Sequence, residues 1–147
     1  MTQQIIYLDE RERPCVTTRF RVRYHETDRM GVVHHAAYVT WFEEGRSAFT
    51  RALGYSYAQM EADGMGLAVS ELGARYLAPA RYDEEVVVVT CLEALRSREL
   101  VFTYEVRRGA DERLLVTGMT RLVSIDASGR VRSLPPALHA RTHALSK

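Results

Sequence analysis

The sequence predicts an α+β domain in which one long helix packs against an antiparallel sheet. One long segment, residues 36–53, has apolar side chains at helical spacing. Three β-compatible segments, at about 85–95, 100–107 and 114–125, follow in quick succession and are joined by only a few residues. A parallel crossover needs a dozen or more residues, so strands with such short connections must be antiparallel neighbours. One dominant helix and a run of antiparallel strands indicate the α+β class.

The region before the helix predicts a strand followed by a loop. Residues 1–16 fit only a short edge segment or arm, whereas apolar and charged residues alternate with a period of two from about residue 16 to 25. A loop that contains Asp28 connects this strand to the helix. Gly54 follows the helix where a C-terminal cap glycine belongs. Asp28 is therefore expected between two rigid elements, close to the N-terminus of the helix.

The remaining segments complete what we interpret as a single domain over residues 1–147. Residues 57–62 fit a short helix, residues 67–77 are β-compatible, and residues 137–145 fit a helix in a C-terminal tail. A chain of this length can bury a sizeable core. The run Val86–Val89 is apolar on both alternating faces of its strand, and both faces therefore need cover. A partner subunit is the simplest way to cover the second face of this strand, which predicts a homo-oligomer.

Composition and charge exclude several classes of function. The chain is 46% apolar and 27% charged, as in ordinary globular domains. Its formal net charge of +1 provides no field that would attract nucleic acid or an anionic membrane. No apolar run approaches the roughly 20 residues needed to cross a bilayer. The first residues lack the basic and apolar regions of a signal peptide, so we expect a cytoplasmic protein without membrane insertion.

The cysteines and histidines predict neither a disulfide framework nor a metal site. Cys15 and Cys91 have no metal-ligand spacing, and Cys91, which follows the valine-rich segment, is expected to be a small core residue. The adjacent His34 and His35 diverge near the start of the helix. No further histidine or cysteine is spaced to complete a metal shell around them.

The loop before the helix has the components needed for acyl transfer. Asp28 carries a carboxylate that is ionised at neutral pH and can act as a nucleophile or as a base toward water. The first backbone N–H groups of the following helix have no partners within that helix. They lie at the positive end of the helix dipole and can stabilise a carbonyl oxygen that becomes negative in the transition state. A turn or helix-cap role is the simpler interpretation of Asp28 taken alone.

These residues also resemble a known family. The pattern Tyr24-x-Glu26-Thr27-Asp28-x-x-Gly31-Val32-Val33-x-His35-x-x-Tyr38, followed by Phe42-Glu43-x-x-Arg46, is similar to the opening of hotdog-fold acyl-CoA thioesterases. The resemblance is to the 4-hydroxybenzoyl-CoA thioesterase-like group, which includes short-chain acyl-CoA thioesterases encoded beside Tol–Pal genes. It covers about residues 17–135 and leaves a tail over residues 136–147. It implies a curved antiparallel sheet wrapped around one long central helix, with sites at the interface of a homodimer or homotetramer.

The resemblance also implies roles for individual residues. Asp28 matches the catalytic carboxylate, which attacks the thioester carbonyl or activates a water molecule. His35 matches the position whose backbone N–H polarises that carbonyl, and its imidazole is thought to assist in some relatives. Tyr24 matches a tyrosine at the edge of the site that affects activity. The substrate-binding positions of the loop are Gly31, Val32 and Val33. No metal, cofactor or prosthetic group is implied beyond the coenzyme A of the substrate.

The phosphates of coenzyme A require cationic partners, which arginine suits because its planar fork binds phosphate bidentately. Nothing in the spacing selects among the candidates, and each also fits a solvated surface charge. The candidate arginines are Arg75, Arg81 and Arg98, together with Arg107 and Arg108.

Three alternatives remain open at this point. Glu43 and Arg46 fit an i, i+3 ion pair on the helix, although Glu43 is also a rival catalytic residue because another branch of hotdog thioesterases uses a helix glutamate. A hotdog dehydratase or hydratase would use His35 as its base. A non-catalytic module that binds acyl-CoA or acyl carrier protein would release no thiol.

Overall fold

The computed structural model describes residues 5–145 and contains one six-stranded sheet, one long helix and two short helices. The elements in chain order are β1 (Tyr7–Leu8), β2 (Pro14–Arg21), a 3₁₀ turn (Tyr24–Glu26), α1 (Ala37–Leu53), α2 (Tyr57–Ala62), β3 (Met65–Tyr76), β4 (Glu85–Leu95), β5 (Glu99–Arg108), β6 (Leu114–Asp126) and α3 (Pro136–His143).

The sheet has the order β1-β2-β4-β5-β6-β3, and every neighbouring pair is antiparallel. The sheet curves around α1, which confirms the predicted α+β architecture. β3 lies at one edge and pairs with β6 along its whole length. Its other side carries no strand within residues 5–145, so the longest exposed edge of the sheet is the one formed by β3.

α1 covers the concave face of the sheet with its aromatic side. Phe42 stacks on Tyr104 of β5 with ring centroids 4.3 Å apart, and Phe49 meets Phe102 edge-on at 5.3 Å. Such aromatic pairs stabilise a core beyond the area they bury. Helix and sheet approach closely at Gly45, where an added Cβ would collide with the Thr90 side chain of β4. The mid-helix glycine is therefore required by packing.

The predicted element positions are confirmed for α1, α2 and the strands after them, with ends shifted by at most two residues. Gly54 has φ 88° and caps α1 as expected. One strand prediction was wrong at its end: β2 stops at Arg21, and residues 24–26 form a 3₁₀ turn instead of continuing to residue 25. Val86 and Val88 are fully buried beneath α1, while Val89 on the other face is half-buried.

The prediction that the cysteines form no disulfide was also wrong. Cys15 of β2 pairs with Cys91 of β4 in the sheet register, their Cα atoms are 4.1 Å apart, and their sulfur atoms are bonded. The two residues are separated by 76 positions in the chain. Only the pairing of distant strands brings them together, which is why their spacing gave no signal. Both cysteines are buried, as predicted for Cys91.

Candidate active site

The loop before α1 is anchored by a buried carboxylate. Glu26 is 5% exposed and accepts three hydrogen bonds: from the backbone N–H and guanidinium of Arg23, each at 2.8 Å, and from the indole N–H of Trp41 at 2.6 Å. Its carbonyl oxygen accepts from the backbone N–H of His34 at 2.8 Å. Glu26 thus ties the start of the loop to its end and to α1.

The loop turns tightly at Asp28. The carboxylate Oδ1 of Asp28 accepts from the backbone N–H of Met30 at 2.8 Å, and its carbonyl accepts from Gly31 at 3.0 Å. Gly31 has φ 79°, a left-handed conformation that favours glycine. The second carboxylate oxygen of Asp28 accepts no hydrogen bond from the part of the chain that the structure describes, and the side chain is exposed. Asp28 is therefore held by the turn yet free to react.

The start of α1 leaves the backbone amide of His35 without an acceptor among residues 5–145. The amide of Ala37 donates to the carbonyl of His34, and the amide of Ala36 donates to Nδ1 of His34 at 3.1 Å. The carbonyl of His35 accepts from the hydroxyl of Tyr76 at 2.9 Å, which fixes the peptide against β3. The imidazole rings of His34 and His35 are stacked with their centroids 4.2 Å apart.

Asp28 and His35 line one open cleft of about 370 Å³. The cleft lies between the loop, the first turn of α1 and the segment that follows β3. Tyr38 closes its inner end, and the Tyr38 hydroxyl accepts from the backbone N–H of Ala80 at 3.2 Å. The remaining lining residues are Val33, Tyr76, Leu77, Ala78 and Pro79. The residue that carries the exposed carboxylate and the residue that carries the unpaired amide thus line the same partly apolar cavity.

The other loop residues predicted to take part lie around this cleft. Val33 is buried in its wall, and Val32 forms an antiparallel bridge with Arg81. Gly31 forms the turn beside Asp28. Tyr24 is 77% exposed and lies outside the lining, where it packs edge-on against Tyr82 at 5.5 Å.

The candidate arginines occupy three different places. Arg81 and Arg75 are exposed; Arg81 forms the bridge to Val32 of the loop, and Arg75 precedes the cleft residue Tyr76 at the end of β3. Arg98 lies in the turn between β4 and β5, at the opposite end of the sheet from Asp28. Arg107 pairs with Glu105 at 3.1 Å, and Arg108 pairs with Glu84 and Asp111. Arg107 and Arg108 thus already have carboxylate partners.

The predicted ion pair between Glu43 and Arg46 is absent from residues 5–145. Arg46 is 6% exposed and points beneath α1, where Nε donates to the hydroxyl of Tyr57 and Nη1 to that of Tyr104, each at 3.3 Å. Glu43 remains at the solvent-exposed surface. Spacing along the helix allowed the pair, but the two side chains point to different environments. Burial, above all, raises the pKa of Tyr104 to about 12, so this phenol is neutral.

Two further features concern metals and membranes. Among residues 5–145, one group of potential metal ligands lies close together, Asp9 with Cys15 and Cys91, and these two sulfur atoms are bonded to each other. None of the described helices combines the length and apolarity that crossing a bilayer requires.

Comparisons with known proteins identify relatives over most of the chain. The family model described as thioesterase-like superfamily matches residues 22–142. The acyl-CoA thioester hydrolase YbgC of Escherichia coli O6:H1 is 32% identical over 121 residues, which are 82% of this chain and 90% of YbgC. YneP of Bacillus subtilis strain 168 is 40% identical over 91 residues, 62% of this chain and 66% of YneP.

Solved structures of thioesterases and related proteins have a similar fold. The DHNA-CoA thioesterase of Staphylococcus aureus superposes with a TM-score of 0.85 at 33% identity, over 89% of this chain and 90% of that one. Protein TT1821 of Thermus thermophilus superposes with a TM-score of 0.82 at 40% identity, over 88% of this chain and 98% of that one.

Proposed function

Because the chain belongs to the thioesterase-like superfamily, it is a thioester hydrolase, and we propose that it hydrolyses a short-chain or aromatic acyl-CoA to the free acid and coenzyme A. The observation that supports this most directly is that Asp28 and His35, whose amide has no acceptor within residues 5–145, line one cleft. A pure binding module needs no such carboxylate, whereas an acyl-chain dehydratase would place its thioester carbonyl in the same way and is distinguished from a thioesterase by its product.

The chemistry follows from these two groups. The thioester carbonyl sits with its oxygen at the His35 amide, which stabilises the negative charge that develops during attack. Asp28 either attacks the carbonyl carbon, giving an anhydride that water then hydrolyses, or removes a proton from the attacking water. In both routes the C–S bond breaks, coenzyme A leaves as a thiol, and one water molecule is consumed. The proposed reaction uses no metal and no prosthetic group.

The exposed arginines beside the cleft are suited to the phosphates of coenzyme A. Arg81 bridges Val32 of the loop, Arg75 precedes the cleft residue Tyr76 in β3, and neither makes an ion pair with any residue between 5 and 145. Their guanidinium groups can bind phosphate oxygens bidentately. The adenosine end of coenzyme A then extends over the surface near Tyr24 and Tyr82, which present exposed aromatic rings.

The unpaired edge of β3 supports a homodimer. Val69, Leu72 and Tyr76 of this strand are 43–49% exposed, and an unprotected edge of twelve residues is a template for pairing with a second copy. Two-fold antiparallel pairing of β3 with β3 joins the two sheets into one. It also brings the end of the partner's sheet that carries Arg98 toward the end that carries Asp28, so Arg98 of the partner subunit can complete the phosphate site.

Release of free thiol from a panel of acyl-CoA esters tests the proposal. We expect continuous thiol release at a rate proportional to enzyme concentration for short-chain or aromatic esters. Saturable binding of these esters without thiol release would support a binding module, and formation or loss of a double bond in the acyl chain without thiol release would support a dehydratase or hydratase.

A further inference from the structure

Two tyrosines that line the Asp28 cleft form hydrogen bonds between its opposite walls. The hydroxyl of Tyr76, the last residue of β3, donates to the carbonyl oxygen of His35 at 2.9 Å. In the other direction, the hydroxyl of Tyr38 in the first turn of α1 accepts from the backbone N–H of Ala80 at 3.2 Å. The two rings pack edge-on with their centroids 5.5 Å apart. The start of α1 and the end of β3 are thus joined by one tyrosine hydroxyl from each side.

The backbone that carries Tyr76 is itself held by the sheet. Tyr76 pairs with Val116 in the final register position of β3 against β6. The next two amides, those of Leu77 and Ala78, both donate to the carbonyl oxygen of Leu115, at 2.8 and 3.1 Å. The backbone is therefore fixed at residue 76 and just beyond it, and the ring of Tyr76 packs on α1. The hydroxyl consequently has a defined position relative to the start of α1.

The bond from Tyr76 is the contact that ties His35 to the facing wall of the cleft. The preceding residue is held within the loop and the helix, because the amide of His34 donates to the carbonyl of Glu26 and the carbonyl of His34 accepts from Ala37. The amide of His35 has no acceptor within residues 5–145, so it gives no anchor of its own. The Tyr76 hydroxyl therefore sets where the backbone of His35 lies relative to β3.

The proposed chemistry is sensitive to this position. A donor that stabilises an oxyanion must be held at about 2.7–3.1 Å from the place where the negative charge develops. A displacement of about 1 Å can lower a rate by roughly 100-fold. The amide of His35 can satisfy this requirement only if its residue does not shift along the cleft, and a hydrogen bond to the carbonyl of the same residue opposes such a shift.

We infer that Tyr76 is a positioning residue for the hydrolysis. By donating to the carbonyl of His35, it holds the amide of His35 where that amide polarises the thioester carbonyl. Tyr76 acts through His35, and the role requires no contact between its hydroxyl and the reacting atoms. The inference rests on the proposed function, because it takes the His35 amide as the group that binds the thioester carbonyl.

Tyr76→Phe tests the inference because it removes the hydroxyl and preserves the ring. With the best acyl-CoA from the thiol-release assay, we expect kcat to fall by roughly tenfold and KM to change by less than about twofold. A loosened amide weakens binding of the transition state more than binding of the substrate. Tyr7→Phe is the matched control and should retain wild-type kcat. It removes an exposed hydroxyl that bonds to Thr17 at 2.8 Å, in β1 at the opposite edge of the sheet from β3. Thermal unfolding of both variants checks that they are folded.

A spectroscopic measurement separates positioning from a merely structural role. A hydrolysis-resistant ketone analogue of the same ester, in which a methylene group replaces the thioester sulfur, is prepared with an isotopic label at the carbonyl carbon. Isotope-difference infrared spectra then give the carbonyl stretching frequency of the bound analogue. A hydrogen bond from the amide lowers this frequency below its value in an aprotic solvent. We expect the lowered frequency in the wild type and in Tyr7→Phe, and a band displaced back toward the aprotic value in Tyr76→Phe.

Two results would overturn the inference and leave the proposed function intact. One is wild-type kcat in a folded Tyr76→Phe enzyme, whether or not KM has changed. The other is a lower kcat with the carbonyl band at its wild-type frequency, since Tyr76 would then act elsewhere than at the His35 amide. In contrast, a wild-type enzyme that releases no thiol from any acyl-CoA would refute the proposed function. A wild-type carbonyl band at its aprotic frequency would refute the role of the His35 amide on which the inference depends.

Discussion

The indole N–H of Trp41 donates a hydrogen bond of 2.6 Å to Oε2 of Glu26, and this contact joins α1 to the loop that carries Asp28. The same carboxylate oxygen pairs with Arg23 at 2.8 Å. Removing a buried carboxylate that accepts from three donors lowers the free energy of unfolding, because each donor then stays out of water without a hydrogen-bond partner. Glu26 is therefore expected to stabilise both the fold and the shape of the site.

Glu26→Gln should lower the free energy of unfolding by roughly 1–3 kcal/mol, because an amide cannot accept from all three donors. Denaturation by urea measures the change. The control is Glu44→Gln, which alters an exposed glutamate on α1 that lies 3.4 Å from Arg51 and should change stability by less than about 0.5 kcal/mol. Equal effects of the two substitutions would show that Glu26 is not an anchor.

Ionisation of Glu26 should make the free energy of unfolding depend on pH. Burial alone would raise the pKa of this carboxyl, but the hydrogen bonds from Arg23 and Trp41 outweigh burial and hold the pKa below its ordinary value. The pKa of this carboxyl is lower in the folded state than in the unfolded state, where it is about 4.3. Such a carboxyl stabilises the fold at pH values above the unfolded pKa. The stabilisation is lost as the pH falls through the folded pKa. The stability difference between wild type and Glu26→Gln should therefore shrink between about pH 5 and pH 3. A difference that is constant over this range would contradict the assignment.

The elements that repeat a local pattern were predictable from sequence, and the contacts between distant elements were not. The spacing of apolar residues gave α1, and short connections gave the antiparallel order of the later strands. In contrast, the Cys15–Cys91 bond depends on the register of β2 against β4, and the partners of Arg46 come from α2 and β5. The 3₁₀ turn after β2 likewise depends on Glu26 meeting Trp41.

In the candidate site, too, residues within one local motif were predictable and residues on distant elements were not. Asp28 and His35 lie seven positions apart in one loop, and the motif was sufficient to select both. Tyr76 and the segment 77–79, which form the facing wall of the cleft, fall within the resemblance, but their distance in sequence from Asp28 gave no sign that they face it. Arg46 looked like half of a surface ion pair, because spacing along a helix does not report which side chain points inward.

A lysine in the middle of the β3 edge should prevent dimer formation. Lysine on an edge strand opposes strand pairing between molecules, so Leu72→Lys is expected to convert a dimer into a monomer. Light scattering coupled to gel filtration measures the mass. Val131→Lys, which introduces the same charge at an exposed valine outside the named strands, should leave the mass unchanged. A wild-type protein that is already monomeric, or a Leu72→Lys variant with the wild-type mass, would refute pairing through β3.

The disulfide gives a prediction that bears on the expected cytoplasmic location, where disulfides are rare. Titration of the unfolded protein without reductant should find no free thiol. Reduction is expected to lower the free energy of unfolding by roughly 2–4 kcal/mol, because the bond closes a long loop in the unfolded chain. A Cys15→Ala, Cys91→Ala double variant is the control and should be insensitive to reductant. Two titratable thiols in freshly purified protein would mean that the bond does not form in the cell.

The most direct test of the account is the turnover number of Asp28→Asn with the best acyl-CoA substrate. The substitution preserves the size of the side chain and the hydrogen bond to Met30 but removes the charge that attacks or activates water. We expect kcat to fall by roughly 100-fold or more with unchanged thermal stability, while Asp111→Asn in the turn after β5 retains wild-type kcat. Wild-type turnover in a folded Asp28→Asn enzyme would contradict the central claim that this carboxylate performs the hydrolysis.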